Sequence, residues 1–222
     1  VTLESPMTAE EIVGYDFTHV AVATGATWRT DGVGLWHHRA VFTDAFPVEA
    51  LLEGDRPSGK RVTLFDDDHY YLGGVLAELL AKEGFDVTLV TPDSKVSSWT
   101  VNTMEQARIH RRLVEAGVVL HTDTAVLAHD GDGALLADAY TGREHRIASD
   151  ALVSVTARTP NDSLVGSLRA AGFANVQAIG DAWNPGIIAD AVFDGRRYAE
   201  DLDAPARPSG ETPFLREVVR LA

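Results

Sequence analysis

The densest group of chemistry-bearing side chains in the sequence is Asp66, Asp67, Asp68 and His69. Carboxylates beside an imidazole suit a hard or borderline cation. Consecutive residues cannot all turn toward one ion, however, and no second ligand cluster accompanies them. The run therefore reads as a polar turn, and no metal site is expected. Asp130-Gly131-Asp132-Gly133 opens like a calcium loop, but the twelfth position holds Thr141 where such a loop needs Glu, so it reads as a hairpin turn. His37-His38 reads as surface loop, and Ser97-Ser98-Trp99-Thr100 as a polar loop to which no mechanism attaches. No Ser, His and Asp can be argued together into a triad, so no catalytic residue is assigned. The absence of cysteine excludes disulfides, thiolate chemistry and iron–sulfur ligation by these residues.

The remaining candidates stand at strand ends. Thr24-Gly25 follows an apolar strand at 19–23, Trp28 lies just beyond it, and Gly180-Asp181 follows a strand at 176–179. A Gly-Asp pair between a strand and a helix start directs a carboxylate and free N–H groups toward a ligand at the sheet edge. Thr24, Gly25, Trp28, Gly180 and Asp181 are thus the candidate cofactor-binding residues. For Trp28 a core or interface aromatic is the competing reading.

These residues depend on the elements around them, above all on the stretch 60–91, KRVTLFDDDHYYLGGVLAELLAKEGFDVTLVT. Val62, Leu64 and Phe65 form an apolar strand, Val75, Leu76, Leu79 and Leu80 fall at helical spacing, and Val87, Leu89 and Val90 form a second strand. This is a βαβ unit, the opening of a dinucleotide-binding fold. A pyrophosphate needs G-x-G-x-x-G directly after the first strand. Asp66, Asp68 and Tyr71 hold the three glycine positions, and their side chains would clash with a dinucleotide and repel it. Thr91 also replaces the acid that would hold a ribose hydroxyl. No NAD(P) is expected at the 66–74 turn.

Elsewhere, Thr8 and Glu11 predict a capped helix over 8–13, and the stretch 29–60 reads as a connection with a short helix, ending at Pro57-Ser58-Gly59. A helix is predicted over 103–116, with Arg108, Arg111 and Arg112 outward and Met104, Ile109 and Leu113 inward, closed by Gly117. A strand follows at 118–121. Residues 124–157 read as a meander whose last strand is HRIASDALVSVTAR. The final helix is expected from near Gly186 to Leu202, with Ile187, Ile188, Ala191, Val192 and Tyr198 inward. The tail from Ala204 is Pro-rich and reads as surface wrapping. YDFTHVAVATGATW (15–28) and SDALVSVTARTPN (149–161) resemble each other, as two nested Rossmann-like domains would produce.

At 222 residues and 45% apolar content the chain can bury a core. A net charge of −14 argues against nucleic acid or an anionic membrane as partner. No run approaches the ~18 apolar residues of a membrane helix. Together with the lack of cysteine this fits a cytoplasmic protein. The opening VTLESPMTAEEI, without an initiator Met, reads as a fragment of a longer chain, with a trimmed tag as the other reading.

ATGATW, FDDDHYYLGG, SSWTVNTMEQARIHRRL and IGDAWNPGIIADAVFDGRR together resemble the C-terminal part of the trimethylamine dehydrogenase/histamine dehydrogenase family of FMN- and iron–sulfur-containing amine dehydrogenases. The resemblance runs from about Val20 to the end. It implies an α/β fold of two nested Rossmann-like, glutathione-reductase-like domains, the first incomplete. Residues 1–57 and 149–222 would form the partial FAD/ADP-binding-like domain, and 58–148 the inserted NAD(P)-binding-like domain with its degenerate glycine motif. It further implies ADP, or FAD, in the first domain, with FMN and the 4Fe-4S cluster confined to an N-terminal TIM barrel upstream. The implied partners are that barrel, an electron-transferring flavoprotein or similar acceptor, and a second copy in a homodimer. The chain itself would bind ADP or serve structurally, without catalysis. The alternatives are an NAD(P)H:flavin oxidoreductase domain of the dienoyl-CoA reductase type and a non-enzymatic interaction module.

Overall fold

The computed structural model describes residues 2–202, so the expected wrapping of the tail from Ala204 lies outside the described residues. The chain begins with α1 (Ala9–Gly14), β1 (Val20–Val22), β2 (Ala26–Trp28) and α2 (Val48–Glu53). It continues through β3 (Arg61–Asp66), α3 (Leu72–Lys82), β4 (Asp86–Val90), α4 (Gln106–Glu115) and β5 (Val119–His121). Then come β6 (Thr124–His129), β7 (Gly133–Asp138), β8 (Glu144–Ala148), β9 (Ala151–Val155) and β10 (Arg158–Pro160). The last described elements are α5 (Ser163–Ala170), β11 (Val176–Ala178) and α6 (Ile188–Asp201).

The chain forms two compact units, one holding the residues up to Thr27 and from Thr159 onward, the other Trp28–Arg158. These limits differ from boundaries at 57/58 and 148/149. The connection after Trp28 packs into the second unit, where Phe42 and Ala45 join one core cluster and Val48 and Leu51 another. At the other end β9 pairs with β3 rather than with the first unit's strands.

The second unit is built on a parallel sheet in the order β5-β4-β3-β9. Five of the six residues of β3 are buried, and all five of β9. Such near-continuous apolar strands are what a sheet covered on both faces requires. Alternate residues serve alternate faces: Val62 and Leu64 meet Leu76, Ala77 and Leu80 of α3 and Leu113 of α4. Phe65, Val90 and Leu152 instead meet Ala125, Val126 and Leu136 of the antiparallel sheet β6-β7-β8. The expected βαβ unit is therefore β3-α3-β4, with parallel register from Arg61↔Asp86 to Phe65↔Val90.

Three sequence expectations are corrected. The expected strand HRIASDALVSVTAR is two strands that divide at Ser149-Asp150, because exposed EHRIA completes the antiparallel sheet while buried ALVSV returns to the parallel one. The Asp150 carboxylate fixes this break by accepting the N–H groups of Lys60 and Arg61, each at 2.8 Å. The helix expected over 103–116 begins only at Gln106, after a 3₁₀ turn at Ser98–Val101. Met104 has a left-handed backbone, φ 62°, which no helix tolerates, and its side chain is 88% exposed rather than inward. In α6, Ile187, Ile188 and Val192 are exposed and the buried residue is Asp194.

In the first unit β1 pairs in parallel with β11, from Val20↔Val176 to Val22↔Ala178. Its core joins Ala9 and Ile12 of α1, Val165 and Leu168 of α5, and Val22, Val176, Ala178 and Ala182. The capping box at α1 is present: Thr8 N–H donates to Glu11 at 2.7 Å, and Glu11 N–H to the Thr8 hydroxyl at 3.3 Å. Among the described residues no helix is long and apolar enough to cross a membrane.

Two helical glycines give opposite expectations. A Cβ on Gly73 would lie 2.4 Å from Asp66 Cγ and 2.8 Å from Asp66 Cβ, whereas one on Gly166 meets nothing within 4 Å. Gly166→Ala should stabilise by about 0.5–1 kcal/mol through helix propensity. Gly73→Ala should instead cost about 1–3 kcal/mol through overpacking. Urea unfolding of the two variants beside the unsubstituted protein measures both signs.

Candidate functional site

Parallel pairing brings the C-terminal ends of β3 and β4 to one edge of the second unit, where the polar turn 66–69 meets Thr91–Asp93. Asp66 is completely buried. Its Oδ1 accepts the His69 N–H at 3.1 Å, and its Oδ2 has no hydrogen-bond partner. Burial pushes this carboxyl up to about 7, against the opposing pull of the His69 imidazole and N–H. The carboxyl packs on Gly73 in the first turn of α3. It fills the space in which a dinucleotide phosphate would need bare backbone N–H groups, so the turn does not fit a pyrophosphate.

Asp67 is also buried, its N–H donating to Val155 O at 2.9 Å and its Oδ2 accepting from Trp36 N–H at 2.8 Å. Gly34 is required beside it, because a Cβ there would lie 2.3 Å from that Oδ2. His69 sits in the left-handed region, φ 62°, with its ring among three polar groups. Nδ1 lies 3.3 Å from Thr91 Oγ1 and 3.7 Å from Asp93 Oδ2, and Nε2 lies 3.2 Å from Asp67 Oδ1. The last contact is at ion-pair distance and holds Asp67 Oδ1 against the ring. Burial alone would lower the imidazole pKa; Asp67, Asp66 and Asp93 outweigh it and raise the pKa above its ordinary value. Asp68 is raised by burial, with Arg158 and His69 opposing.

Around this cluster lies a cavity of about 570 Å³, walled by Trp36 and Trp99 together with Asp67, His69 and Asp93. The Ser98 hydroxyl donates to Asp93 and anchors one wall. The polar loop 97–100 thus acquires a place, although no sequence pattern ties Trp36 to Trp99. Among the described residues no group of three His, Asp or Glu side chains is placed to hold a metal ion.

In the first unit, Thr24-Gly25 follows β1 and Gly180-Asp181 follows its parallel neighbour β11, so four of the five candidate residues stand at the same end of one ladder. Gly25 and Gly180 both have left-handed backbones, φ 74° and 58°. Asn161, which the sequence did not single out, ties the first turn: its N–H donates to Gly25 O at 2.9 Å and its side-chain amide to Thr24 O at 3.2 Å. Asp194 ties the second, accepting the Gly180 N–H at 2.8 Å and pairing with Arg197. The Gly180 N–H is therefore engaged rather than free, and Asp181 Oδ1 accepts Gly186 N–H at 3.0 Å. Asp194 had a sequence signal, being a carboxylate three residues after Ala191 and four before Tyr198, on the stripe expected inward. Trp28 belongs to the second unit, packed on its core beneath the Arg158 guanidinium, 5.1 Å from the ring centroid.

The second unit also assembles a trio that sequence could not connect. His129 Nδ1 lies 2.7 Å from Asp44 Oδ2, and Nε2 lies 3.2 Å from Ser149 Oγ. Ser149 is completely buried, receives the Thr63 hydroxyl at 2.9 Å and donates to Ala151 O at 3.0 Å. A serine with no exposure and its proton committed to a carbonyl is no nucleophile, so the trio joins the 42–45 segment to the sheet.

Residues 46–155 match the model of the OYE-like second alpha/beta domain. The chain is 32% identical to dimethylamine dehydrogenase of Hyphomicrobium sp. (strain x), over 96% of its own length and 33% of that protein's. It is 39% identical to histamine dehydrogenase from Rhizobium sp. 4-9, with a TM-score of 0.91, covering 99% of this chain and 36% of that one. It is 36% identical to 6-hydroxypseudooxynicotine amine oxidase from Pseudomonas geniculata N1, with a TM-score of 0.83, covering 88% and 30%. The chain is thus homologous to amine-oxidising oxidoreductases and spans about a third of their length.

The buried Asp66 carboxyl makes stability depend on pH. Its folded pKa, about 7, lies above the ordinary 3.8, so the folded protein holds this proton more tightly. The stabilisation is complete below the ordinary value and is lost as pH rises to and through 7. His69, also raised, loses its contribution in the same direction. Asp66→Asn removes the first effect, so its stability relative to the unsubstituted protein should rise by about 4 kcal/mol between acid and mildly alkaline pH. Urea unfolding across that range measures the difference; parallel curves would contradict it.

Proposed function

We propose that this chain is the C-terminal, nucleotide-binding-like portion of an amine dehydrogenase of the trimethylamine dehydrogenase/histamine dehydrogenase family, composed of two nested Rossmann-like domains. Homology to amine-oxidising enzymes across nearly the whole chain supports the family. The observation that carries the role of this portion is the aspartate-filled β3–α3 turn, which offers no seat to an NAD(P) pyrophosphate. Oxidation of the amine, with FMN and a 4Fe-4S cluster, belongs in this reading to a preceding barrel portion. An electron-transferring flavoprotein or similar acceptor takes the electrons, and the intact enzyme is a homodimer.

The chain's own part is to hold ADP, with FAD as the alternative, at the edge where Thr24-Gly25 and Gly180-Asp181 stand. Left-handed Gly25 and Gly180 let backbone approach a ligand closely, and no atom lies within 4 Å of a Cβ built on Gly25. The Asp181 carboxylate suits ribose hydroxyls, while Asp194 and Arg197 set the position of Gly180. Nothing in this edge suits the phosphates, which would be held by residues outside it. Trp183, Ile188 and Val192 are exposed apolar side chains that suit packing against the barrel portion.

The match to the OYE-like second alpha/beta domain also favours a second reading, an NAD(P)H:flavin oxidoreductase of the dienoyl-CoA reductase type. The filled turn weighs against it. Protein expressed from the full gene distinguishes the two: flavin and iron–sulfur absorbance, ADP released on acid denaturation, and no consumption of NADH are expected. In the same protein, Asp181→Ala should lower retained ADP about tenfold. Bound FAD with steady NADH consumption would establish the reductase instead.

A further inference from the structure

We propose that the cavity beside His69 is a binding site for an organic ammonium cation. It occupies the sheet edge where a related fold would place a dinucleotide, but its chemistry is of the opposite sign. Two carboxylates, Asp67 and Asp93, line it, and among its described lining residues the imidazole of His69 is the sole basic group. His69 Nε2 lies 3.2 Å from Asp67 Oδ1 and its Nδ1 3.7 Å from Asp93 Oδ2, so one imidazole faces two carboxylates and the lining keeps an excess of negative charge. An ammonium charge at the cavity would be attracted by that excess, most of all by Asp93, the more exposed of the two carboxylates.

The walls select the kind of cation. Trp36 and Trp99 line the cavity and are 40% and 56% exposed, so indole surface is available to whatever enters. Indole faces attract a cation held against them, most strongly when water is displaced. Leu35 and Pro92 add apolar wall, which suits hydrocarbon attached to the nitrogen. A bare metal ion would gain nothing from this lining, and no three ligating groups converge on one point among the described residues. A phosphate-bearing ligand would meet Asp67 and Asp93 and be repelled. The volume, about 570 Å³, accommodates an arylalkyl ammonium.

This inference does not depend on amine oxidation elsewhere in the protein. The test is calorimetric titration of the full-length protein with benzyltrimethylammonium, whose fixed charge does not vary with pH, beside benzyl alcohol and benzoate as neutral and anionic counterparts. Saturable binding of the cation alone is expected. Asp93→Asn and Trp99→Ala should each weaken it about tenfold, and Trp99→Phe, which keeps an aromatic face, by much less. Trp99 is half exposed, so these replacements leave the core intact; thermal unfolding verifies it, and Asp93→Asn decides alone if a Trp99 variant does not fold. Absence of saturable binding, equal binding of benzoate, or cation binding unchanged in Asp93→Asn would each overturn the proposal. The last result would place the cation elsewhere in the protein.

Discussion

The packing of the Asp66 carboxyl onto Gly73 governs the second unit. It ties the end of β3 to the first turn of α3, and the rest of the edge follows from it. With Asp66 turned down against the helix, the chain reverses through His69, whose N–H the same carboxyl accepts. That reversal carries the imidazole toward β4, where Thr91 and Asp93 receive it. Asp67, set by its neighbours, reaches the other way to Trp36 and holds the 31–37 segment over the turn. The Asp66 carboxyl thus stands against the first turn of α3, and Asp67 and Asp93 line the edge beyond it, where a glycine-rich turn would instead bind an anion.

Much of this was legible in sequence. The β3-α3-β4 unit followed from apolar spacing alone, because buried parallel strands and an amphipathic helix leave different periods. That side chains rather than bare backbone would stand at the turn after β3 followed from Asp66, Asp68 and Tyr71 in the sequence. Illegible were the features that depend on distant segments meeting. Trp36 and Trp99 share a wall though sixty-odd residues separate them. α5 contains a glycine and two serines, poor helix formers, and its fold comes from Val165 and Leu168 packing on α1 and β11. The left-handed backbone at Met104 falls on a residue type that carries no turn signal.

The first unit shows the same division. The strand ends with Thr24-Gly25 and Gly180-Asp181 were legible because small residues after apolar runs mark the exits of parallel strands. Their ties, Asn161 and Asp194, were not, since a single amide or carboxylate gives no hint of which backbone it serves. The apolar residues of α6 were assigned inward on helical spacing, which reports that a stripe exists but not whether its covering belongs to the same stretch of chain.

The arrangement of Asp44, His129 and Ser149 bears on how activities are transferred between proteins. A geometric template built on acid, imidazole and hydroxyl spacings would accept this trio, with 2.7 Å and 3.2 Å links, and would label the protein a hydrolase. What disqualifies it is absent from such a template: solvent access for the hydroxyl, an uncommitted proton and a cluster of donors for a developing oxyanion. A search that scored accessibility before distance would pass over this trio and stop instead at the open, aromatic-walled edge beside His69.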